Sequence, residues 1–128
     1  FWESYDPIED GDRNSQIVKS FKELLEEQFN RLRANEIEYA YQVQDYARDL
    51  RLHPNYLSQV IKAKTGKTVH HWIQDRTLGL AKALLKHTNL SSKEIAYRLG
   101  FKEPTHFSRF FKNETGSTTT ALTKALNL

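Results

Sequence analysis

Apolar residues recur along this chain at the spacing of helices rather than strands. Ile17, Phe21, Leu24, Leu25 and Phe29 fall one turn apart with charged residues between them. That pattern predicts an amphipathic helix from near Ser15, closing one side of a core. Val43, Tyr46, Ala47 and Leu50 mark a shorter helix. Pro54, suited to a first helical turn, opens another through Leu57, Val60 and Ile61, and Gly66 is placed to stop it. A long helix from about Val69 to His87 carries Val69, Ile73, Leu80 and Leu84 on one stripe, widened by Trp72. Ser91 and Glu94 form a capping-box pattern ahead of Ile95, Ala96 and Leu99, with Gly100 as terminator. Pro104 then opens a helix through Phe107, Phe110 and Phe111 that Gly116 closes, and a weaker helical stretch covers Ala121 to Leu126. Tyr39 to Val43 favours β structure locally but is too short and isolated to build a sheet. The predicted class is all-α.

Two of these helix pairs are copies of one another. Laying residues 56–69 over residues 106–119 pairs Ser58 with Ser108, Lys62 with Lys112, Thr65 with Thr115, Gly66 with Gly116 and Thr68 with Thr118. Upstream, Ala47 pairs with Ala96 and Leu50 with Leu99, the second turn being one residue longer. A doubled helix-turn-helix explains the pattern: a small alanine lets two helices approach, and Leu57 with Val60, or Phe107 with Phe110, plugs the corner. The expected boundaries are an irregular or linker segment at 1–14, subdomains at 15–68 and 88–128, and a linker helix at 69–87.

Charge adds direction to this frame. The net charge of +3 divides into −5 over residues 1–40, from five basic and ten acidic side chains, and +8 over residues 41–128, from fourteen basic and six acidic. A basic body suits a polyanion, because each neutralised phosphate releases condensed counterions. The polar faces left on the second helix of each pair are chemically apt. Asn55, Ser58 and Gln59 on the first, and Thr105, His106 and Arg109 on the second, carry amides, hydroxyls, an imidazole and a guanidinium of the kind that pair with base edges. Lys62, Lys112 and Lys102 suit phosphates. The helix between the copies, about 28 Å at roughly 1.5 Å per residue, approaches the ~34 Å separating successive major grooves on one face of DNA.

Other classes find little support. The chain has no cysteine, which removes disulfides, thiolate metal sites and cysteine nucleophiles. His70 and His71 adjoin and cannot share a helical face, so no metal site is expected, and no cofactor. No nucleophile-base pair or phosphate-cradling glycine loop suggests an enzyme. No apolar run is long enough for a membrane span, and no secretory signal opens the chain, so a cytoplasmic home is expected. The chain begins at Phe1 and has no methionine, which fits a piece of something longer.

With the repeat and the linker in view, residues 21–116 resemble the DNA-binding domain of the AraC/XylS family of bacterial transcription regulators. The resemblance lies in Asp45-Tyr-Ala-Arg-Asp-Leu50, Pro54-Asn-Tyr-Leu-Ser-Gln-Val-Ile-Lys62, Thr65-Gly-Lys-Thr-Val69, Glu94-Ile-Ala-Tyr-Arg-Leu-Gly-Phe101 and Phe107-Ser-Arg-Phe-Phe-Lys112. It implies about seven helices in two helix-turn-helix subdomains joined by a long linker helix. It also implies sequence-specific binding to double-stranded promoter DNA and a separate effector or dimerisation domain. Recognition helices at about 54–64 and 104–114 would enter successive major grooves, and because their outward residues differ, the expected target is asymmetric. An alternative leaves one unit on DNA and gives the other to a protein such as RNA polymerase. Some positions depart from the family. Arg51 stands where the first turn often has glycine, His53 replaces the usual serine cap, Thr119 replaces a proline, and Leu122 and Thr123 replace an aromatic and an arginine. A left-handed Arg51 is expected to be costly, and His53 to start its helix poorly.

Overall fold

The computed structural model describes residues 12–121. Six helices are complete within them: α1 (Arg13–Arg33), α2 (Val43–Leu50), α3 (Pro54–Thr65), α4 (Val69–His87), α5 (Ser92–Arg98) and α6 (Pro104–Thr115). A further helical segment begins at 119–121, where the described residues end. No strand occurs among the described residues, so the all-α class and the expected number of helices hold. Residues 39–42 are bend and coil rather than β. Of the stretch expected over 121–126 only Ala121 falls within the described residues, and Leu122 and Thr123 lie outside them.

The chain packs as two compact units, and α1 and α4 each run from one into the other. In the first, residues 12–28 with Tyr41–Ile73, α1 contributes Ile17, Phe21 and Leu25 to the core, α2 contributes Tyr46 and Ala47, and α3 contributes Leu57, Val60 and Ile61. Val69 and Ile73 of α4 complete it. Phe21 stands edge-on to Tyr46, with ring centroids 5.3 Å apart. Trp72 is only half-buried, at the edge of this core rather than within it. Its indole nitrogen donates to Thr65 Oγ1 at 3.1 Å, while Lys22 and Lys67 stand against its ring.

In the second unit, Phe29–Ala40 with residues 74–121, Phe29 and Leu32 of α1 and Leu80, Ala81 and Leu84 of α4 are buried with Ile95, Ala96, Leu99, Phe107 and Phe111. Phe111 occupies the fully buried corner position, and Phe110, expected there, is half-buried against Phe101 at 5.7 Å between centroids. Phe110 lies at the edge of the apolar stripe, and Phe111 lies one turn beyond Phe107 on its centre. Thr119 is buried and its hydroxyl donates to the Ser92 hydroxyl at 3.0 Å, a bond that proline could not make.

The helix ends follow from local chemistry. α1 starts at Arg13, two residues before Ser15, because Asp12 Oδ1 accepts from the Ser15 backbone N–H at 2.6 Å. Ser91 and Glu94 make the expected reciprocal capping box on α5. After α2 the chain turns through Arg51 in the left-handed region at φ 60°, with Leu52 N–H bonded to Ala47 O and Arg51 N–H to Arg48 O. After α5 the same pair of bonds runs from Phe101 to Ala96 and from Gly100 to Tyr97, with Gly100 at φ 92°. The paired bonds satisfy the terminal carbonyls in both copies. Arg51 therefore does adopt the left-handed conformation that its side chain disfavours.

Candidate nucleic-acid interface

Each unit presents one short helix with a buried apolar side and a polar side in solvent. α3 begins with His53 as N-cap: its Nδ1 accepts from the Asn55 backbone N–H at 3.1 Å. The cap expected to be poor is thus made, because a neutral imidazole nitrogen can accept as a serine hydroxyl does. Pro54 fills the first turn, and Gly66 at φ 80° closes the helix with its N–H on Lys62 O. α6 repeats this plan with Pro104 at its start and Gly116 at φ 77°, its N–H on Lys112 O. Its N-cap, Glu103, makes no side-chain cap bond.

The turns that follow are also duplicated atom for atom. Thr65 Oγ1 donates to Ile61 O and accepts from Lys67 N–H, and Thr115 Oγ1 does the same with Phe111 O and Ser117 N–H. Thr68 then accepts from His71 N–H, and Thr118 from Ala121 N–H, each capping the next helix. These threonines explain two of the repeat's identities, Thr65 with Thr115 and Thr68 with Thr118: each hydroxyl replaces a backbone partner at a point where one helix ends or the next begins.

On α3, Asn55, Ser58, Gln59 and Lys62 are spaced i, i+3, i+4 and i+7 and share one face. Asn55, Gln59 and Lys62 are exposed, whereas Ser58 is half-buried and the least available of the four. Lys62 Nζ donates to Gly66 O at 3.2 Å, which leaves two of its three N–H groups for other acceptors. On α6, Thr105, Arg109 and Lys112 share the equivalent face and His106 lies about 100° round from Thr105, beside Arg109. All four are exposed, as is Lys102 in the turn before the helix. The structure brings the sequence-derived residues together in two groups, one on α3 and one at α6.

The other exposed helix near α3 is electrostatically self-contained. On α2, Arg48 pairs with Asp49 at 3.0 Å and Asp45 at 3.2 Å, and the Tyr41 hydroxyl donates to Asp49 at 2.9 Å. That bond to Asp49, with some burial, raises the Tyr41 pKa. Arg48 thus offsets one of the two α2 carboxylates, which leaves the amide-bearing face and its lysine beside a helix of reduced negative charge. Two polar residues, Tyr56 on α3 and Asn14 on the neighbouring start of α1, are not singled out by the sequence patterns. Tyr56 aligns with His106 in the repeat, which was the signal available for it.

Doubled, capped helices with polar outer faces define a tandem helix-turn-helix DNA-binding domain. A family model described as a helix-turn-helix domain matches residues 46–125, more than half of the chain. The chain belongs to this family, and within it to the AraC/XylS group of transcriptional regulators, which are DNA-binding proteins rather than enzymes. Among curated relatives, the chain is 39% identical over 62 residues to the HTH-type transcriptional activator RhaR of Enterobacter sp. (strain 638). That match covers 48% of this chain and 22% of the relative. Among solved structures it is similar to the C-terminal domain of AraT, a response regulator from Geobacillus stearothermophilus, with a TM-score of 0.74 and 26% identity over 89% of this chain and 88% of that one. The fold is also that of the DNA-binding domain of the transcriptional factor AdpA, in a crystal structure with a target DNA, with a TM-score of 0.70 and 21% identity over 83% and 91% of the two chains. No helix among the described residues is long and apolar enough to cross a membrane.

Proposed function

We propose that this domain binds double-stranded promoter DNA sequence-specifically, α3 and α6 each entering a major groove, the two grooves being successive. Asn55, Ser58 and Gln59 read base edges in one groove, and Thr105, His106 and Arg109 in the next. Lys62, Lys112 and Lys102 hold phosphates. The observation that carries this reading is the repeat itself: the turn bonds, the glycine stops and the threonine caps that follow them agree between the copies while the outward side chains differ. Identical frames with unlike faces suit two half-sites of unlike sequence, and so an asymmetric site bound by one copy of the chain. The nineteen residues of α4 supply a connector close in length to the groove repeat. The target DNA in the AdpA structure supports DNA as the partner. In this proposal residues 15–68 and 88–128 are the functional subdomains, 69–87 the linker between them, and the cytoplasm the place of action.

Gln59→Ala and Arg109→Ala, measured separately against a selected duplex and a random one, test the two-helix reading. Each is expected to lower affinity for the selected duplex by about fivefold to a hundredfold, the value of a bidentate base contact, and to leave random-duplex affinity nearly unchanged. If one substitution leaves selectivity intact, the corresponding helix is not a reading helix.

A further inference from the structure

The first turn of α1 lies outside the helix-turn-helix, yet it holds α3 by two side-chain bonds. The Tyr56 hydroxyl donates to Asn14 Oδ1 at 3.1 Å, and Lys64 Nζ donates to Asp12 Oδ2 at 3.3 Å. Tyr56, Val60 and Lys64 follow one another at i, i+4 and i+8, a single ridge along the helix. Val60, in the middle of that ridge, is buried. The ridge is thus packed at its centre and tied at both ends. The next ridge round the helix begins with Asn55 and Gln59, the exposed amides of the proposed reading face. The tie itself is well founded, since Asp12 is fixed as the cap of α1 by the Ser15 backbone N–H. That bond, with Lys64, holds its carboxyl below the usual carboxylate range. In the second copy the equivalent positions are His106 and Glu114, and neither side chain makes a hydrogen bond within the described residues.

We propose that Asn14 and Asp12 are positioning residues for DNA reading: they fix the roll of α3 about its own axis, so that Asn55 and Gln59 meet base edges in register. The inference rests on α3 being a reading helix. A roll of about 10° moves atoms at the helix surface, roughly 6 Å from the axis, by about 1 Å. That displacement is enough to lose a hydrogen bond whose useful distance range is only about half an ångström. Base readout by two short amides is therefore more sensitive to roll than phosphate contact by a long, flexible lysine.

The test compares Asn14→Ala and Tyr56→Phe, singly and combined, on the selected duplex and on one scrambled at the base pairs whose recognition Gln59→Ala abolishes. Each single substitution is expected to weaken selected-duplex binding about threefold to tenfold, the value of one hydrogen bond. The double variant should lose no more than the worse single one, and all losses should vanish on the scrambled duplex. Unchanged affinity in Asn14→Ala, or an equal loss on both duplexes, would overturn the positioning role and leave at most a structural one. If Gln59→Ala itself leaves selectivity intact, the reading role of α3 fails and the brace falls with it. Loss with Gln59→Ala but none with Asn14→Ala defeats the brace alone.

Discussion

α3 and α6 share one backbone plan and are held in place by different means. α3 packs aliphatic residues, Leu57, Val60 and Ile61, and is bounded by polar bonds: His53 at its start, Tyr56 and Lys64 to α1, and Lys62 to the carbonyl of Gly66. α6 packs aromatic rings instead, with Phe107 lying 5.4 Å from Phe101 and 5.9 Å from Phe111 between centroids. Its outward side chains, Thr105, His106, Arg109 and Lys112, make no hydrogen bonds within the described residues. The difference teaches that the motif needs a common turn and a filled corner but not a common way of filling it. A larger apolar anchor does in the second unit what dispersed polar ties do in the first.

The largest test of that contrast removes the anchors. Phe107→Ala should cost about 3–5 kcal/mol, and Leu57→Ala about 2–5 kcal/mol with the smaller loss expected where fewer ring contacts disappear. Residue-resolved hydrogen exchange in urea would show Phe107→Ala opening the second unit selectively. Equal opening of both units would break the comparison.

The turns offer a second, smaller test, because Arg51 and Gly100 occupy the same place in the two copies. A Cβ on Gly100 would lie 2.6 Å from Tyr39 Cβ and 2.7 Å from Tyr39 Cα, so Gly100→Ala meets backbone as well as an unfavourable φ. It should destabilise by more than the roughly 1–2 kcal/mol of left-handed strain alone. Arg51→Gly releases that strain at the cost of backbone entropy and should stabilise by up to about 1 kcal/mol. Thermal melts of the two variants should move in opposite directions. A destabilising Arg51→Gly would mean that the Arg51 side chain contributes more than its conformation costs.

Much of this frame was legible because caps and stops act within four residues. Pro54 with Gly66, Pro104 with Gly116, and Ser91 with Glu94 announce their helices by chemistry that needs no tertiary partner. The core residues were legible where they sat on the centre of a stripe, as Leu57 and Phe107 do, and less so at its edge, where Phe110 and Trp72 are half-buried. His53 departed from expectation because cap scales average over a side chain that accepts only through one nitrogen in one orientation. The ties from Asn14 to Tyr56 and from Asp12 to Lys64 span 42 and 52 residues and leave no local pattern, so only the folded chain reveals them. The polar faces were legible as groups, whereas the burial of Ser58 depends on neighbours that helical spacing does not specify.

The smallest expected effect concerns pH. Asp12 in the first unit and Glu94 in the second both have carboxyls held below their usual range, each chiefly by a backbone N–H, from Ser15 and Ser91 respectively. A depressed folded-state pKa means stability that is present above the ordinary carboxylate range and lost as pH falls through it. Amide protection at the start of α1 and of α5 should therefore fall together on acidification below about pH 4 and stay level between about pH 6 and 8. Asp12→Asn, which keeps the cap without the charge, should remove the change at α1 only. A remaining acid-sensitive step there would place its origin elsewhere.

Hydroxyl-radical footprinting on a duplex selected by the domain from a randomised pool bears most directly on the two-helix account. Two protected stretches about one helical turn apart, roughly 10 base pairs between centres and unlike in sequence, are predicted for one bound copy. A single protected stretch, or two stretches forming a palindrome, would contradict it.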